Sequence, residues 1–215
     1  MTANDASHHC PSCEARFAFR TELEGHRAVD HPRPLEDDIA SPGPVPQVLV
    51  VFESMFGNTR IVAESVAAGL ASGAKVDLVE VGEAPMSLDP GLDLLVVGAP
   101  THAFGLSRPE TRAEAAEEAT APLVSQGRGL REWLEQLDCD GAQPQVATFD
   151  TRVRHVPGSA ARAAMRMLRR RGLGTADDPT SFWVKGKPGP LAAGEQERAE
   201  RWGERLARSA RRQGG

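Results

Sequence analysis

The sequence predicts an α/β domain built on a parallel sheet, with a small separate unit before it. From residue 47 onward, short apolar segments alternate with helical patterns, and the segments 48–52 and 92–98 are almost continuous in Val and Leu. Strands that are buried on both faces of a parallel sheet have this composition. The alternation favours a doubly wound fold, in which a ligand lies at the carboxyl ends of the strands.

The individual elements are assigned by their hydrophobic periodicity. The predicted strands are 48–52, 76–81, 92–98, 145–149 and 181–184. The predicted helices are 59–72, 108–118, 128–138, 159–171 and 194–211. The last three helices are amphipathic, so each has one apolar face that can pack on the sheet.

Composition sets the class of protein. Of the 215 residues, 40% are hydrophobic and 26% are charged, which is typical of a globular chain, and no run of about 18 apolar residues predicts a membrane span. The N-terminus has no secretory pattern, and Cys10 and Cys13 form a Cys-x-x-Cys pair that favours metal binding and a cytoplasmic location. Residues 160–215 hold 13 basic and 6 acidic side chains, which we interpret as solvated helix faces.

The loop after the first strand has the geometry of a phosphate site. It contains Ser54, Met55, Phe56, Gly57, Asn58 and Thr59, and a helical pattern follows it directly. At such a strand–loop–helix junction the backbone N–H groups converge on an anion, and the helix dipole favours its charge. Gly57 allows either a close approach or a positive φ. The loop lacks Gly-Lys-Ser/Thr and Gly-x-Gly-x-x-Gly, which argues against a nucleoside triphosphate and a dinucleotide.

The loops after the third and fourth strands complete the candidate site, because carboxyl-end loops meet at the same edge of the sheet. From the third-strand loop we select Pro100, Thr101, His102, Phe104 and Gly105. From the fourth we select Phe149, Asp150, Thr151 and Arg152. The planar side chains of His102 and Phe104 suit a flat ring, although a surface histidine and a packed core phenylalanine are alternatives. The alternative for Asp150 and Arg152 is a local ion pair that closes the turn.

These three loops resemble the FMN-binding loops of the flavodoxin family. Residues 54–59 are similar to that family's FMN-phosphate loop, and the resemblance extends over about 47–211. It implies a flavodoxin-like sheet of strand order 2-1-3-4-5, bound FMN, and electron transfer to a redox partner protein or a small electron acceptor. The chain departs from well-known flavodoxins because it has no tyrosine to stack on the flavin. Its third loop is also basic, through Arg152, Arg154 and His155, where many flavodoxins are acidic.

The amino-terminal residues have the spacing of a zinc site. Cys10-x2-Cys13 and His26-x4-His31 are separated by twelve residues, which suits a tetrahedral metal. With Phe17 and Leu23 as its apolar pair, this segment resembles the C2H2 zinc-finger family. About thirty residues bury little core, so we expect Zn²⁺ to supply the folding energy. The predicted organisation is a ββα finger over 1–31, a proline-rich acidic linker over 32–46 and the flavodoxin-like domain over 47–215.

The finger is a poor candidate for reading DNA. Its base-reading positions would be Phe19, Glu22 and Gly25, which lack the side chains that read bases well. Residues 1–46 also hold 8 acidic and 4 basic side chains, and this charge repels phosphate. A protein contact or a structural appendage is therefore favoured over nucleic acid.

Two functions remain open from the sequence. The first is an FMN-binding redox protein, either an electron carrier or an FMN-dependent oxidoreductase. The second is a regulatory or interaction protein in which the flavodoxin-like domain has lost flavin and the finger docks a protein. No catalytic residue is assigned, because Ser54, His102 and Asp150 all belong to the three loops and no Gly-x-Ser-x-Gly elbow is present.

Overall fold

The computed structural model describes residues 8–13, 15–31, 45–102, 104–119 and 121–213. The chain separates into two compact units, Met1–Pro42 and Gly43–Gly215. The predicted linker, 32–46, crosses this division, and its residues 32–44 lie outside the described residues.

The first unit is a short hairpin followed by a helix. Strands β1 (His8–His9) and β2 (Arg16–Phe17) pair antiparallel, and α1 covers Arg20–Asp30. Cys10 is the only buried residue among those described in this unit, and none of α1 is buried. The unit therefore has almost no apolar core of its own.

The second unit is a five-stranded parallel sheet with helices on both faces. Its strands are β3 (Gln47–Phe52), β4 (Lys75–Glu80), β5 (Leu94–Pro100), β6 (Gln145–Val153) and β7 (Thr180–Val184). Its helices are α2 (Asn58–Leu70), α3 (Pro109–Glu118), α4 (Leu130–Gln136), α5 (Ala160–Arg170) and α6 (Glu195–Gln213). The order β4-β3-β5-β6-β7, all parallel, confirms the predicted 2-1-3-4-5 arrangement.

Two apolar layers hold the sheet. Helices α2 and α6 cover one face, where Val66 and Trp202 are buried, and α4 and α5 cover the other, where Trp133 is buried. The backbones of α2 and α6 are in close contact at Gly69, since a Cβ there would lie 2.0 Å from the carbonyl oxygen of Glu200. Among the described residues, no helix combines the length and apolar character needed to cross a bilayer.

Strand β6 differs from its predicted extent in a way that affects the site. The sequence predicts its end at residue 149, but it continues to Val153, because it pairs with β5 as far as Thr151 and with β7 as far as Val153. Asp150, Thr151 and Arg152 therefore belong to a strand rather than to a loop. Their side chains alternate between the two faces of the sheet.

Candidate functional site

A cavity of about 300 Å³ lies at the carboxyl edge of the sheet, between the ends of β3 and β5. This edge is the switch point where open α/β sheets bind ligands. Ten of the sequence-predicted residues line it: Ser54, Met55, Phe56, Asn58, Thr59, Pro100, Thr101, His102, Thr151 and Arg152. Gly57, Phe104, Gly105, Phe149 and Asp150 do not belong to its wall.

The backbone amides of residues 55–59 are the part of the cavity best suited to an anion. None of these five N–H groups has a hydrogen-bond acceptor among the described residues. The amides on either side are occupied: that of Ser54 donates to Ser125 Oγ at 2.9 Å, and that of Arg60 donates to Ser54 Oγ at 3.3 Å. Unpaired amides at a helix N-terminus form a site for a phosphate.

Gly57 sets the direction of these amides. It is the N-cap of α2, with φ +88° and ψ −16°, and its carbonyl accepts the Ile61 amide at 3.0 Å. No atom lies within 4 Å of the position that a Cβ would occupy. Glycine is therefore favoured here by the left-handed backbone conformation, not by lack of space within the protein.

The loop 54–59 is also held by a hydroxyl pair and by backbone bonds from residues 124 and 125. Thr59 Oγ1 lies 2.7 Å from Thr151 Oγ1 on β6, so one of these hydroxyls donates to the other and the second keeps its hydrogen for a ligand. The amides of Val124 and Ser125 donate to the carbonyls of Met55 and Ser54, at 3.1 and 2.8 Å. The sequence pattern did not predict this contact, because residues 124 and 125 belong to no recognisable ligand-binding motif.

The loop after β5 makes a tight turn. The amides and carbonyls of His102 and Gly105 exchange two hydrogen bonds of 2.9 and 2.8 Å, and Phe104 between them has φ +77°. Phe104 is 68% exposed, so it is not a core residue. His102 faces the cavity. Its burial is the main cause that lowers the pKa of the imidazole, and the positive charges of Lys187 and Arg112 lower it further. The imidazole is therefore neutral at neutral pH, with one nitrogen donating and one accepting.

Phe149 is placed differently from the prediction. Its side chain is fully buried on the α2–α6 face, with its ring centroid 5.9 Å from that of Phe182 and 6.0 Å from that of Trp202. A Cβ on Gly98 would lie 2.0 Å from the Phe149 ring, so Gly98 makes room for it. Phe149 is a core residue, and its ring does not belong to the cavity wall where the sequence had led us to expect it.

Asp150 is a buried structural carboxylate. Its Oδ2 accepts hydrogen bonds from Thr101 Oγ1 at 3.0 Å, Ser159 Oγ at 2.6 Å and the Ala161 amide at 3.1 Å. These bonds join the β5 loop to the first turn of α5. Asp150 therefore positions Thr101 in the cavity wall without lining the cavity itself.

Arg152 does not pair with Asp150, so the alternative of a local ion pair is wrong for the described structure. The guanidinium donates to the carbonyls of Val156 and Gly158, at 3.1 and 2.5 Å. Its Cζ atom lies 5.0 Å from the ring centroid of Trp183, a cation–π distance. Arg152 is held on the cavity wall as a fixed positive charge.

Glu53 directly precedes the loop of residues 54–59 and was not selected from the sequence. It is completely buried, and its two oxygens accept from Ser107 Oγ at 2.5 Å and from the Leu130 amide at 2.8 Å. Burial raises the pKa of this carboxyl group. Glu53 links the end of β3 to the start of α4 and thereby anchors the loop.

Six further cavity residues were also missed. They come from α3, from the end of β6 and its following turn, and from β7 and its following loop: Thr111, Glu114, Val153, Val156, Val184 and Lys187. The β7 loop could have been anticipated, because it also leaves the carboxyl edge of the sheet. Helix α3 gave no such signal.

The first unit brings together the predicted metal ligands. One ligand atom each from Cys10, Cys13, His26 and His31 lies within 4.8 Å of all the others. The Nδ1 atom of His26 lies 2.6 Å from an Asp30 carboxylate oxygen, which directs Nε2 toward the cysteines, 3.2 Å from Cys13 Sγ. His31 Nε2 is buried without a hydrogen-bond partner among the described residues. Two thiols and two imidazoles in this arrangement fit a tetrahedral Zn²⁺.

Comparison with known proteins agrees with the fold of the second unit. Residues 50–138 match the family model for flavodoxin. An archaeal flavodoxin structure is 16% identical, with TM-score 0.56, over 76% of this chain and 98% of that chain. Oxidised flavodoxin 1 from Bacillus cereus is 16% identical, with TM-score 0.52, over 75% and 97% of the two chains.

A metal-soaked flavodiiron core from Synechocystis is 16% identical, with TM-score 0.50, over 90% of this chain and 41% of that chain. No curated protein sequence matches the chain significantly. At these identities the similarity establishes the fold: the unit Gly43–Gly215 is flavodoxin-like.

Proposed function

We propose that the flavodoxin-like unit binds FMN and exchanges electrons through it with a redox partner protein or a small acceptor. The observation that carries this proposal is the row of five unpaired amides at residues 55–59, in a loop that lines a switch-point cavity. The match of residues 50–138 to the flavodoxin family supports FMN as the phosphate-bearing ligand. When bound, FMN supplies one- or two-electron chemistry.

The residues around the cavity have separate tasks in this proposal. The amides of residues 55–59, with the Ser54 and Thr59 hydroxyls, would hold the phosphate. His102 would contribute a neutral hydrogen-bonding group. Val153 and Val156 would exclude water, and Arg152 would place a positive charge in the wall. Whether the protein is a carrier or an oxidoreductase depends on its acceptor.

FMN titration of the purified protein, followed by quenching of flavin fluorescence, tests the proposal. We expect saturable binding at one FMN per chain, and a large loss of affinity when Gly57→Val and Thr59→Ala are combined. The matched control combines Gly172→Val and Thr175→Ala, because Gly172 also has a positive φ, of +83°, and an open Cβ position. That control lies beyond α5, at the opposite edge of the sheet, and should bind FMN normally. Absence of binding by the wild-type protein would refute the proposal.

We further propose that the first unit binds one Zn²⁺ through Cys10, Cys13, His26 and His31. Its support is the convergence of the four ligand atoms and the unpaired, buried His31 Nε2. Chelation should unfold residues 8–31, because this unit buries almost nothing else, and leave the α/β unit folded. Elemental analysis should give one zinc per chain for the wild type and for Cys139→Ser, and none for Cys13→Ser. Zinc content near zero, without recovery on adding zinc, would contradict this.

A second candidate function is a regulatory or interaction protein whose flavodoxin-like unit no longer carries flavin. The burial of Phe149 favours it, because this side chain cannot stack on a flavin and the chain has no tyrosine. In this alternative the finger docks a protein, since its acidic segment disfavours nucleic acid. Visible absorption of protein purified without added flavin separates the two. We place both functions in the cytoplasm, where thiols remain reduced and able to hold metal.

A further inference from the structure

The loop after β7 packs against the phosphate loop. The Asn58 side chain, in the first turn of α2, donates to the carbonyl of Pro188 at 3.0 Å. A Cβ on Gly189 would lie 2.4 Å from Asn58 Oδ1, so the two segments are in close contact. Lys187 directly precedes these residues and lines the same cavity as Asn58 and Thr59. Lys187 therefore lies in the wall of the cavity that the unpaired amides also border.

The ammonium group of Lys187 can exchange its present ion-pair partner for another anion. Its Nζ lies 2.6 Å from Glu118 Oε2 at the end of α3, and the two side chains are 54% and 53% exposed. An exposed ion pair of this kind contributes little to stability, so its exchange costs little. The charge also reaches into the cavity, because it contributes to the lowered pKa of His102.

Arg152, the other basic residue of the cavity wall, is less free to change its contacts. Arg152 is held by two backbone carbonyls and by the ring of Trp183. The lysine ammonium, by contrast, is a compact charge on a flexible stem. Lys187 is thus the cation of this wall that can turn toward an incoming anion.

We propose that Lys187 is a specificity-determining residue that recognises the phosphate group of the ligand. In this proposal, which rests on the FMN site above, the ammonium leaves Glu118 and binds the phosphate held by the amides of residues 55–59. A phosphate monoester carries a charge of about −1.5 to −2 at neutral pH, and its oxygens accept stronger hydrogen bonds than neutral groups do. Lys187 then favours FMN over riboflavin, which has the same ring and no phosphate.

The test is to titrate FMN and riboflavin separately into four full-length proteins: wild type, Lys187→Gln, Lys185→Gln and Glu118→Gln. Lys185 is the matched control, because it is an exposed lysine of the same loop that lies outside the cavity wall. Thermal unfolding of each variant confirms that it is folded.

Lys187→Gln should weaken FMN binding about tenfold, which is at the lower end of the effect of losing a hydrogen bond to a charged group. Riboflavin affinity should stay within about twofold of wild type, since no phosphate is involved. Lys185→Gln should change neither ligand. Glu118→Gln should strengthen FMN binding by about twofold, because the lysine loses a competing partner. The salt dependence of FMN binding should be weaker in Lys187→Gln than in wild type.

The proposal is overturned if Lys187→Gln keeps the wild-type ratio of FMN to riboflavin affinity, either by binding both normally or by losing both equally. An effect of Lys185→Gln equal to that of Lys187→Gln would also overturn it, since it would show a general effect of loop charge. Failure of the underlying FMN proposal is a separate result, in which the wild-type protein binds neither flavin.

Discussion

Substitution of Gly57 should weaken FMN binding in an order set by backbone conformation. At φ +88° an L-residue costs roughly 1–2 kcal/mol, less for Asn, whose short polar side chain tolerates this region, and more for a β-branched residue. The Cβ position is open, so no steric clash adds to this cost. If the loop relaxes to avoid the strain, the amides of residues 55–59 turn away, and FMN binding must restore them.

The expected affinities therefore fall in the order Gly, Asn, Ala, Val. Gly57→Ala should weaken FMN binding roughly 5- to 30-fold, the factor that corresponds to 1–2 kcal/mol. Gly57→Asn should weaken it by less than Gly57→Ala does. The assay is fluorescence titration with FMN, paired with urea unfolding of the same samples.

Gly172→Ala is the control for backbone strain at a glycine that lies away from the candidate FMN site. Gly172 has φ +83° and an equally open Cβ position, but it follows the C-terminus of α5, an 11-residue helix that spans about 16 Å from the site edge. It should lose stability and keep FMN affinity. Equal FMN affinities for Gly57→Ala and Gly57→Asn, or an equal loss in Gly172→Ala, would refute the reasoning.

Three further predictions address the core, the buried carboxyl group and the cavity wall. Phe149→Leu should lower the free energy of unfolding by about 1–3 kcal/mol and leave FMN affinity unchanged; loss of FMN affinity at unchanged stability would contradict this. Burial raises the pKa of Glu53. The contribution of Glu53 to the free energy of unfolding, measured against Glu53→Gln, should therefore be complete below about pH 4.5 and decline as the pH rises through the raised pKa. A difference in urea unfolding that does not vary with pH would disprove it. Arg152→Gln should make the reduction potential of bound FMN more negative, because a positive charge that stabilises the reduced flavin is removed; unchanged potentials in redox titration would exclude this role.

The sheet and the position of the loop 54–59 were predictable because their signals are local. The Val- and Leu-rich strands β3 and β5 are apolar on both faces, which is the composition expected of strands buried in a parallel sheet. The loop from Ser54 to Thr59 sits between two such unambiguous elements, so its position at the sheet edge follows from the strand and the helix that flank it.

Phe149 shows a limit of local reasoning. Ala147 and Phe149 both pack on the α2–α6 face, whereas Val146 packs on the opposite face. This alternation places Phe149 on the same face as Ala147, and the continuation of the strand to Val153 keeps Phe149 within the sheet rather than in a loop. The continuation depends on pairing with β5 and β7, which the segment itself does not encode.

Lys187 shows a different limit. Its place in the cavity follows from contact between the β7 loop and Asn58, whose bond to Pro188 joins residues 130 positions apart. No periodicity or motif within either segment reports such a contact. The same applies to Glu53, whose partners Ser107 and Leu130 come from distant parts of the chain.

The central claim is that the backbone amides of residues 55–59 hold the phosphate of FMN. Amide hydrogen exchange, resolved by residue with and without saturating FMN, tests it most directly. The account predicts that exchange of these five amides, which have no acceptor among the described residues, slows strongly when FMN binds. The Gly172 amide, already bonded to Arg169 at 3.0 Å, should not change. FMN binding that leaves exchange at residues 55–59 unaltered, or no binding at all, would contradict the account.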